Sequence, residues 1–398
     1  MKILQLCKKF PYPPKDGESI AILNLAQSIA AQGVDLDLLA MNTSKHFFAA
    51  ESTPKSLEFY QSIATVAVDN RIQIKAALLN LFTQKSYHIQ RFESSSFRTK
   101  LIQLLKEKTY DLILLETLYL TPYIDTIKKY STAKICLRAH NVEYEIWERI
   151  TLNTRPGPKK WYLQYLTKQL KRFETAQLHK YDLLAAISKR DLLHYRNLGY
   201  RGAAMVLPIG FSIEEYHPNN DSFAKPLTIG FIGSLDWRPN QEGLEWFLRE
   251  VWPAVHLKFP TLEFHIAGRN TPQRLLNLQA PKVTVHGEVA QAQAFINLHS
   301  IALVPLFSGS GMRVKILEAM ALGKVVLTTS LGLEGIKAEP QKEVLIADSK
   351  QQFLQQISFC YQQNGALGQI GAAARHLVKQ NFDRNQQAKD LLNCVEAL

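Results

Sequence analysis

The 398-residue chain is long enough for two domains of ordinary size, and its 46% hydrophobic and 21% charged residues are typical of a globular protein. No apolar run reaches the ~18 residues of a membrane-spanning helix. The apolar run in the opening MKILQLCKKF is too short for a signal peptide. Four cysteines, spaced far apart and without a Cys-x-x-Cys pair, indicate reduced thiols in a cytoplasmic protein.

The positive charge is confined to one half of the chain. Residues 1–205 contain 30 Lys and Arg against 18 Asp and Glu, whereas residues 206–398 contain 17 of each sign. A one-sided basic half predicts an anionic partner such as a phosphorylated lipid or an acidic membrane surface. Nucleic acid fits the charge, but the chain has no recognisable nucleic-acid-binding motif. A simple contribution to solubility is the alternative.

Strand and helix signals alternate along the chain, which predicts α/β layers with parallel sheets. In the first half, the Pro-rich loop FPYPPKDG and a helix that stops at Gly33 follow the first strand. Ser188 begins a later helix, with Asp191 placed for a capping box. The DLD run at Asp35–Asp37 lies at the start of a strand, so we do not assign it to a metal. The predicted strands of this half are KILQLC, VDLDLLAM, DLILLET, AKICLRAH and DLLAAIS.

A second α/β set follows the segment 206–226, whose prolines, asparagines and lack of periodicity predict a linker. Its predicted strands are LTIGFIGS, LEFHIAG, VTVHG, IALVPL and KVVLTTS, and its helices lie near 240–257, 291–299, 312–322, 350–363 and 365–380. We therefore expect Rossmann-like domains at 1–205 and 227–380, and a terminal helix at 381–398 that packs back on the first domain. The default ligand site is the cleft between the domains, at the carboxyl ends of the strands.

A glycine-rich turn joins a buried strand to an amphipathic helix in the second half. The strand IALVPL is followed by the turn FSGSG and by a helix predicted to start at Met312. Gly309 and Gly311 allow the backbone to approach a ligand, and a helix N-terminus favours an anion. Arg313 and Lys315 add positive charge where the helix dipole disfavours it, so we interpret the turn as a phosphate or diphosphate site. A plain tight turn with surface cations is the alternative, and the pattern matches neither a Walker A loop nor a dinucleotide fingerprint.

Glu318 lies in the second turn of the same helix. From there its carboxylate can accept hydrogen bonds from vicinal hydroxyls, such as the 2′,3′-diol of a ribose. A phosphate at the turn and a ribose one helical turn further along describe a nucleotide. An exposed helix glutamate without a ligand is the alternative.

The stretch SGSGMRVKILEAMALGKVVLTTSLGLEGI closely resembles the nucleotide-sugar site of family-4 glycosyltransferases, which have the GT-B fold of two Rossmann-like α/β domains whose parallel sheets face each other across a cleft. The blocks FPYPPKDGESIAILNLAQSIAAQGVDLDLLA, RAHNVEYE, YDLLAAISKRD and FIGSLDWRPNQEGLEWFLREVWP extend the resemblance over most of the chain. The chain most resembles bacterial sugar transferases that make surface polysaccharides. The resemblance implies a hexosyltransferase-like enzyme that uses a nucleoside-diphosphate sugar, retains the anomeric configuration and needs no metal or other cofactor.

The resemblance also implies roles for single residues. His140 matches a residue at the reaction centre, against the transferred sugar, although a structural histidine at a strand end is the alternative. Asn141 and Glu143 are weaker candidates beside it. Glu318 matches the glutamate that holds the donor ribose, and Arg269 with the backbone of Gly287 and Val289 is a weak inference for the base. The positions implied around the donor diphosphate are Gly17, Arg238, Gly309, Ser310, Gly311, Arg313 and Lys315.

Several positions depart from the family pattern. Ser310 stands where many members carry the first glutamate of Glu-x7-Glu, so that contact to the donor sugar is missing or replaced by a hydroxyl or backbone group. Ser234 and Asn240 stand where many members carry an arginine and a lysine, and Arg238 is expected to substitute. Glu18 replaces a second glycine in the N-terminal loop. These departures concern the identity of the donor more than the class of activity.

Residues 155–180 are basic and aromatic together, which is typical of a segment that meets a membrane surface or a lipid-phosphate acceptor. On a helix, one face carries Trp161, Tyr165, Leu166, Leu170 and Phe173. The basic residues around that face are Lys159, Lys160, Lys168, Lys171 and Arg172. The alternative is an amphipathic helix that packs on its own sheet and leaves its lysines in water.

Three activities fit the sequence. The first is a metal-independent retaining glycosyltransferase, and the second is a GT-B nucleotide-sugar epimerase, which needs an acid/base set for proton abstraction. The third is a nucleotide-sugar-binding or scaffold protein without catalysis. We expect the first, in the cytoplasm or at the inner face of the plasma membrane, with a nucleotide-sugar donor and a glycan or lipid-linked acceptor as partners and no nucleic acid. The sequence leaves the sugar, the base, the acceptor and the linkage open.

Overall fold

The chain divides into two compact α/β units. The computed structural model describes residues 1–14, 16–44, 47–48, 54–73, 79–81, 83, 85–309 and 311–398. The first unit contains Met1–Gly210 and Arg384–Leu398, and the second contains Phe211–Asp383.

The first unit is built on a parallel sheet of seven strands in the order β3-β2-β1-β4-β5-β6-β7. Its strands are β1 Lys2–Cys7, β2 Asp35–Thr43, β3 Ser62–Val68, β4 Leu112–Glu116, β5 Lys134–Ala139, β6 Leu183–Ala186 and β7 Ala203–Val206. Its described helices are Gly17–Ala30, Tyr87–Gln90, Ser95–Glu107, Ile124–Tyr130, Glu143–Leu152, Pro158–Gln177, Lys189–Asn197 and Arg384–Glu396, with 3-10 turns at Lys55–Leu57 and Leu118–Tyr123.

Apolar side chains cover both faces of the first sheet, as a parallel sheet requires. Along β4, Leu112 and Leu114 point into one core cluster, whereas Ile113 and Leu115 point into the other. The terminal helix Arg384–Glu396 belongs to the first of these clusters, where its buried apolar residues pack with the helix Gly17–Ala30. The chain therefore returns to its first unit after it has completed the second.

The second unit is a parallel sheet of six strands in the order β10-β9-β8-β11-β12-β13. The strands are β8 Thr228–Ile232, β9 Glu263–Ala267, β10 Val283–Gly287, β11 Ile301–Val304, β12 Val325–Thr328 and β13 Leu345–Ile346. The described helices are Asp221–Ala224, Arg238–Trp246, Trp252–Lys258, Gln273–Leu276, Ala292–Leu298, Val314–Ala321, Lys350–Gln362 and Asn364–Asn381, with a π segment at Phe247–Val251 and a 3-10 turn at Ile213–Glu215. The predicted α/β class with two parallel sheets is confirmed.

The segment 206–226, predicted as a linker, is packed rather than extended through solvent. Leu207 is buried in the core of the first unit. In the second unit, the Arg375 guanidinium donates to the carbonyl oxygens of Tyr216 at 2.7 Å and Ile213 at 3.1 Å. Apolar residues within this Pro- and Asn-rich stretch explain why it folds against both units, and the boundary falls at Gly210.

Each sheet has one point where the strand order reverses direction. In the first sheet this point lies between β1 and β4, and in the second it lies between β8 and β11. Parallel α/β sheets bind ligands beyond the carboxyl ends of the strands at such a switch point. The loops after these strands are therefore where a functional site is expected.

Candidate functional site

The glycine turn lies beyond the carboxyl end of β11, at the switch point of the second sheet. Gly309 has a φ of +97° and Gly311 a φ of +82°, a region that favours glycine. A Cβ on Gly309 would lie 3.0 Å from a ring carbon of Trp237, so a side chain there would meet both strain and a neighbour. Ser310, between the two glycines, lies outside the described residues.

The helix after the turn begins at Val314, two residues later than the predicted start at Met312. Arg313 is its N-cap residue, with extended backbone and only 4% of its surface exposed. Its guanidinium donates to the carbonyl of Gly311 and lies 6.0 Å from the ring centre of Trp237. The turn thus continues through Arg313, and its cation is folded back towards the glycines rather than out into solvent.

Lys315 places a second cation at the same helix end. Its Nζ donates to the Asn240 side-chain oxygen at 2.7 Å and lies 4.9 Å from the ring centre of Phe231. Burial, together with the neighbouring Arg313 charge, lowers the pKa of Lys315 to about 7. Asn240, noted in the sequence as a replacement for a lysine, therefore serves here to hold the Lys315 amine.

Glu318 lies one turn further along this helix and is half-buried. Burial raises the pKa of its carboxyl to about 7. A carboxylate in this position has most to gain from hydroxyl donors, because they replace the water that burial removes. The structure therefore puts Glu318 where the sequence predicted it, in the second turn behind the glycines.

Arg238 does not take the position of an inward-facing cation. Its side chain is 68% exposed, and its Nε donates to Glu242 at 2.5 Å. The other oxygen of Glu242 accepts a hydrogen bond from the Ser308 hydroxyl at 2.9 Å. Glu242 thus links the helix Arg238–Trp246 to the glycine turn. This residue was not among the predicted site residues.

The residues predicted near the base lie at the same edge of the second sheet. Gly268 follows β9 and donates its N–H to the carbonyl of Gly287 at 2.7 Å, at the end of β10. Arg269 follows Gly268 directly, Val289 lies two residues after Gly287, and both are half-buried. All are therefore on the edge that carries the glycine turn, on the β9–β10 side of the switch point.

In the first unit, Gly17 is the first residue of the helix Gly17–Ala30, after the loop that follows β1. Asp16 caps this helix by accepting from the Ser19 N–H at 2.9 Å and also pairs with Lys9 at 2.7 Å. Glu18, in place of a glycine, pairs with Lys8 at 3.1 Å. Charges of both signs are thus balanced around Gly17.

His140 follows β5 directly and is 5% exposed. Its Nε2 lies 2.7 Å from Oε2 of Glu116, the last residue of β4. Glu116 also accepts from the Gln5 amide at 2.7 Å and lies 3.5 Å from the Arg138 guanidinium. Glu116 was not among the predicted site residues, although a polar residue that ends a buried strand is a signal for such a site.

The two weaker candidates beside His140 contact their own unit. The carbonyl of Asn141 accepts from the Tyr195 hydroxyl at 3.1 Å, and the Glu143 carboxylate accepts from the Tyr119 hydroxyl at 3.0 Å. Burial raises the pKa of Glu143. The Asn141 contact is made by the backbone and the Glu143 contact by the side chain, and neither argues for chemistry.

The basic helix Pro158–Gln177 packs on its own unit with much of its apolar face. Leu166 and Leu170 are buried, and Phe173 packs against the core. The Tyr165 hydroxyl donates to the carbonyl of Thr83 at 2.7 Å. Trp161 differs, because 60% of its surface is exposed. The apolar face therefore fits the alternative of a helix that packs on its own unit, and Trp161 with the neighbouring cations is the part that faces outward.

The basic residues of this helix differ in their exposure and in their contacts. Lys159, Lys168 and Arg172 are exposed. Lys160 donates to the carbonyl of Leu152 at 3.3 Å, and Lys171 lies 4.5 Å from the ring centre of Tyr144. Most of the positive charge around Trp161 therefore faces solvent.

The described part of the chain contains neither a metal-binding cluster nor a membrane-spanning helix. Within it, no group of three or more His, Cys, Asp or Glu side chains is arranged to hold a metal ion. Asp37, from the DLD run, instead accepts from Lys108, Ser62 and Tyr110. No helix among the described residues combines the length and the apolar character needed to span a membrane.

Comparison with known proteins gives a family match in the second unit and a fold match over the whole chain. Residues 226–363 match the model of the family glycosyl transferases group 1. A 44.6 kDa protein in the cps region of Klebsiella pneumoniae is 22% identical over 397 residues, which cover 96% of each chain. Sucrose-phosphate synthase from Thermosynechococcus elongatus has a TM-score of 0.72 at 15% identity, with 100% of this chain and 99% of that chain covered. HepE from Anabaena, in complex with UDP, has a TM-score of 0.70 at 16% identity, with 100% of both chains covered.

The comparisons confirm the predicted resemblance to glycosyltransferases and the GT-B fold class. They support sugar transfer as the general activity. They do not bear on the roles of single residues, which stay predictions.

Proposed function

We propose that this chain, whose second unit carries a glycosyl transferases group 1 segment, transfers a sugar from a nucleoside-diphosphate sugar to a glycan or lipid-linked acceptor. The observation that carries this proposal is the pair of neighbouring cations, the buried Arg313 and the half-buried Lys315, at the turn between β11 and its helix. A diphosphate beside these two side chains would offset the repulsion between their like charges.

A diphosphate fits this turn better than a single carboxylate would. The glycine backbone, the N-terminus of the eight-residue helix Val314–Ala321 and the Lys315 amine converge on one region beyond β11. Each supplies hydrogen-bond donors or positive charge, which suit an extended anion with several oxygens. Phosphate charge beside Lys315 would return the pKa of its amine towards the ordinary value for lysine, and that gain contributes to binding.

Glu318 is proposed to accept hydrogen bonds from the ribose. Its distance along the helix, one turn beyond the cations, matches a sugar that is attached to the diphosphate. HepE was solved with UDP and with UDP-glucose, which supports uridine nucleotides as the first ones to test. Arg269, Gly287 and Val289 lie on the same edge and are proposed to face the base.

The chemistry is proposed to proceed without a metal and with retention. The bond between the anomeric carbon and the diphosphate oxygen breaks, and the acceptor hydroxyl oxygen bonds to that carbon on the same face. The hydroxyl proton passes to the departing diphosphate. Arg313, Lys315 and the backbone N–H groups stabilise the negative charge of the leaving group, the work that a metal ion does in other transferases. His140 hydrogen-bonds a hydroxyl of the transferred sugar or relieves charge at its anomeric carbon.

The proposed setting is the inner face of the plasma membrane, in the synthesis of a surface polysaccharide. The relative in a cps region supports this setting, and the exposed Trp161 among cations supports contact with anionic lipid. No metal or other cofactor is included in the proposal.

The test begins with thermal stabilisation of the protein by UDP, GDP, ADP and their common sugar conjugates, with and without EDTA. We expect stabilisation by one nucleotide, unchanged by EDTA and lost in Glu318→Ala. Turnover of the stabilising donor should then disappear in His140→Ala while donor binding persists. Binding that EDTA abolishes would overturn the metal-free mechanism. Full turnover in His140→Ala would overturn the assigned role of His140, and binding without any turnover would favour a non-catalytic protein.

A further inference from the structure

Glu116 is a buried carboxylate in direct contact with the proposed catalytic histidine. It ends β4, and none of its surface is exposed. The neighbouring strand β5 ends one residue before His140, so the two side chains meet at the carboxyl edge of the first sheet, beside its switch point. Their contact is 2.7 Å, between Glu116 Oε2 and His140 Nε2.

Both oxygens of Glu116 have donors, and these donors are themselves held. The Gln5 amide donates to Oε1 at 2.7 Å, and the Gln5 oxygen accepts from the Tyr60 hydroxyl at 2.7 Å. Arg138 Nη1 lies 3.5 Å from Oε2 and also donates to the carbonyl of Ala21 at 3.0 Å. The carboxylate is therefore fixed in place independently of His140.

The surroundings of Glu116 keep it ionised. Burial alone would raise the pKa of this carboxyl, but the Arg138 charge and the hydrogen bond from His140 together hold it below the ordinary value. An ionised carboxylate has no proton to donate, so each hydrogen bond to it must come from the other partner. The proton in the His140 contact must then lie on Nε2.

We infer that Glu116 is a positioning residue that fixes the His140 proton on Nε2 and so presents Nδ1 to the sugar. The inference rests on the proposed function, in which His140 acts at the reaction centre. With Nε2 committed to Glu116, a neutral ring offers only a lone pair at Nδ1, which accepts a hydrogen bond from a hydroxyl. His140 thus recognises a sugar hydroxyl by accepting its hydrogen bond at Nδ1. Nδ1 becomes a donor only after the ring gains a second proton.

Glu116 does not need the contact with His140 to have hydrogen-bond donors for its buried carboxylate. Gln5 and Arg138 would still occupy both Glu116 oxygens if the histidine were absent, so burial of the carboxylate does not require His140. The converse does not hold, because the Glu116 contact is the only ring hydrogen bond of His140 among the described residues. Removal of the carboxylate would leave the ring free to exchange tautomers and to rotate.

The first test reads the tautomer directly and does not depend on activity. In protein labelled with ¹⁵N-histidine, two-bond ¹H–¹⁵N correlations distinguish Nε2–H from Nδ1–H rings, and the spectrum of His140→Asn identifies the resonances of His140. We expect Nε2–H in the wild-type protein and a mixed or Nδ1–H ring in Glu116→Gln. Tyr60→Phe is the matched control, because it removes the outermost hydrogen bond of the same chain and should leave the His140 ring in its Nε2–H form. An Nδ1–H ring in the wild-type protein would overturn the inference even if no variant folded.

The second test uses turnover of the donor that the wild-type protein accepts. Glu116→Gln should lower kcat about 100-fold while the KM for the donor stays within about twofold, because the ring is misplaced but the nucleotide site is intact. Tyr60→Phe should keep its kcat. Equal loss in both variants would indicate a structural role only and would overturn the inference. If His140→Ala keeps its turnover while the tautomer results hold, the proposed role of His140 fails and the positioning of its ring stands.

Discussion

The cations at the carboxyl edges of the two sheets have different kinds of partner. On the first, Lys8 pairs with Glu18 at 3.1 Å, and the buried Arg138 lies 3.5 Å from Glu116. On the second, Lys315 is held by the side-chain oxygen of Asn240, an uncharged partner, and its pKa falls to about 7. On the first edge these two cations have carboxylate partners, whereas on the second the described hydrogen-bond partner of Lys315 is an uncharged amide.

This difference reverses the impression that the sequence gives. The excess charge of +12 belongs to residues 1–205, yet that half neutralises the cations around its own switch point. A third of the excess, five cations against one acid, lies on the helix Pro158–Gln177. The proposed diphosphate site therefore lies in the half with no net charge, where net charge gives no indication of it.

Lys315→Met should have the largest effect on nucleotide binding. Loss of a buried donor to the diphosphate is worth about 3 kcal/mol, or about 100-fold in the dissociation constant for UDP measured by calorimetry. Because burial disfavours the charged amine, the melting temperature of the ligand-free variant should rise slightly. Lys324→Met is the matched control, since Lys324 is another buried lysine of the same unit, which donates to the Ser222 hydroxyl at 2.9 Å. If both variants bind UDP equally well, the second edge is no anion site.

Glu318→Ala should weaken UDP by about 30-fold, because a hydrogen bond to a charged group is worth about 2 kcal/mol. The loss should be specific to the ribose. Removal of the 2′- and 3′-hydroxyls from UDP should therefore weaken binding to the wild-type protein and leave binding to Glu318→Ala nearly unchanged. Additive losses in this double-mutant cycle would place the ribose elsewhere.

The pH dependence of donor binding should test the proposed roles of Lys315 and Glu318 on the second edge. In the free protein the pKa values of Lys315 and Glu318 are both about 7. A bound diphosphate raises the first, so affinity falls as pH rises above 7, and ribose hydroxyls lower the second, so affinity falls as pH drops below 7. We expect UDP-glucose affinity to peak near pH 7 and to fall about tenfold by pH 5.5 and by pH 8.5. Lys315→Met should flatten the alkaline limb and Glu318→Gln the acid limb; an unchanged profile in both would assign the titration to other groups.

The features that the sequence predicted correctly are those that a local residue pattern encodes. Apolar runs of strand length gave the central strands of both sheets, and the glycines with Glu318 gave the switch-point turn of the second. The strands that were missed, β3, β7 and β13, all lie at sheet edges, where part of each strand faces solvent. An edge strand does not need the continuous apolar run that marks a buried parallel strand, so its signal is weak.

The parts of the site that the sequence could not give depend on pairs that are distant along the chain. Asn240 and Lys315 are 75 residues apart, and Gln5 and Glu116 are 111 apart. Such a pair is set by strand order, which a local pattern does not encode. Arg238 is a different case, because it was expected to face the diphosphate and instead pairs with Glu242 one helical turn away. This i,i+4 spacing is present in the sequence, and the family pattern was given more weight.

The smallest expected effect is on membrane binding by the excess positive charge of the first unit. Lys168 is exposed on the helix Pro158–Gln177, near the exposed Trp161. A lysine near an anionic membrane surface is worth about 1 kcal/mol, so Lys168→Gln should weaken binding to phosphatidylserine-containing vesicles about fivefold at low salt. Lys225→Gln, at an exposed lysine of the second unit, should leave vesicle binding unchanged. Vesicle binding should also fall as salt is added, because screening shortens the reach of these charges. If the wild-type protein does not bind anionic vesicles at low salt, or if both variants weaken binding equally, the basic helix is only a solvated surface and the acceptor need not be presented by a membrane.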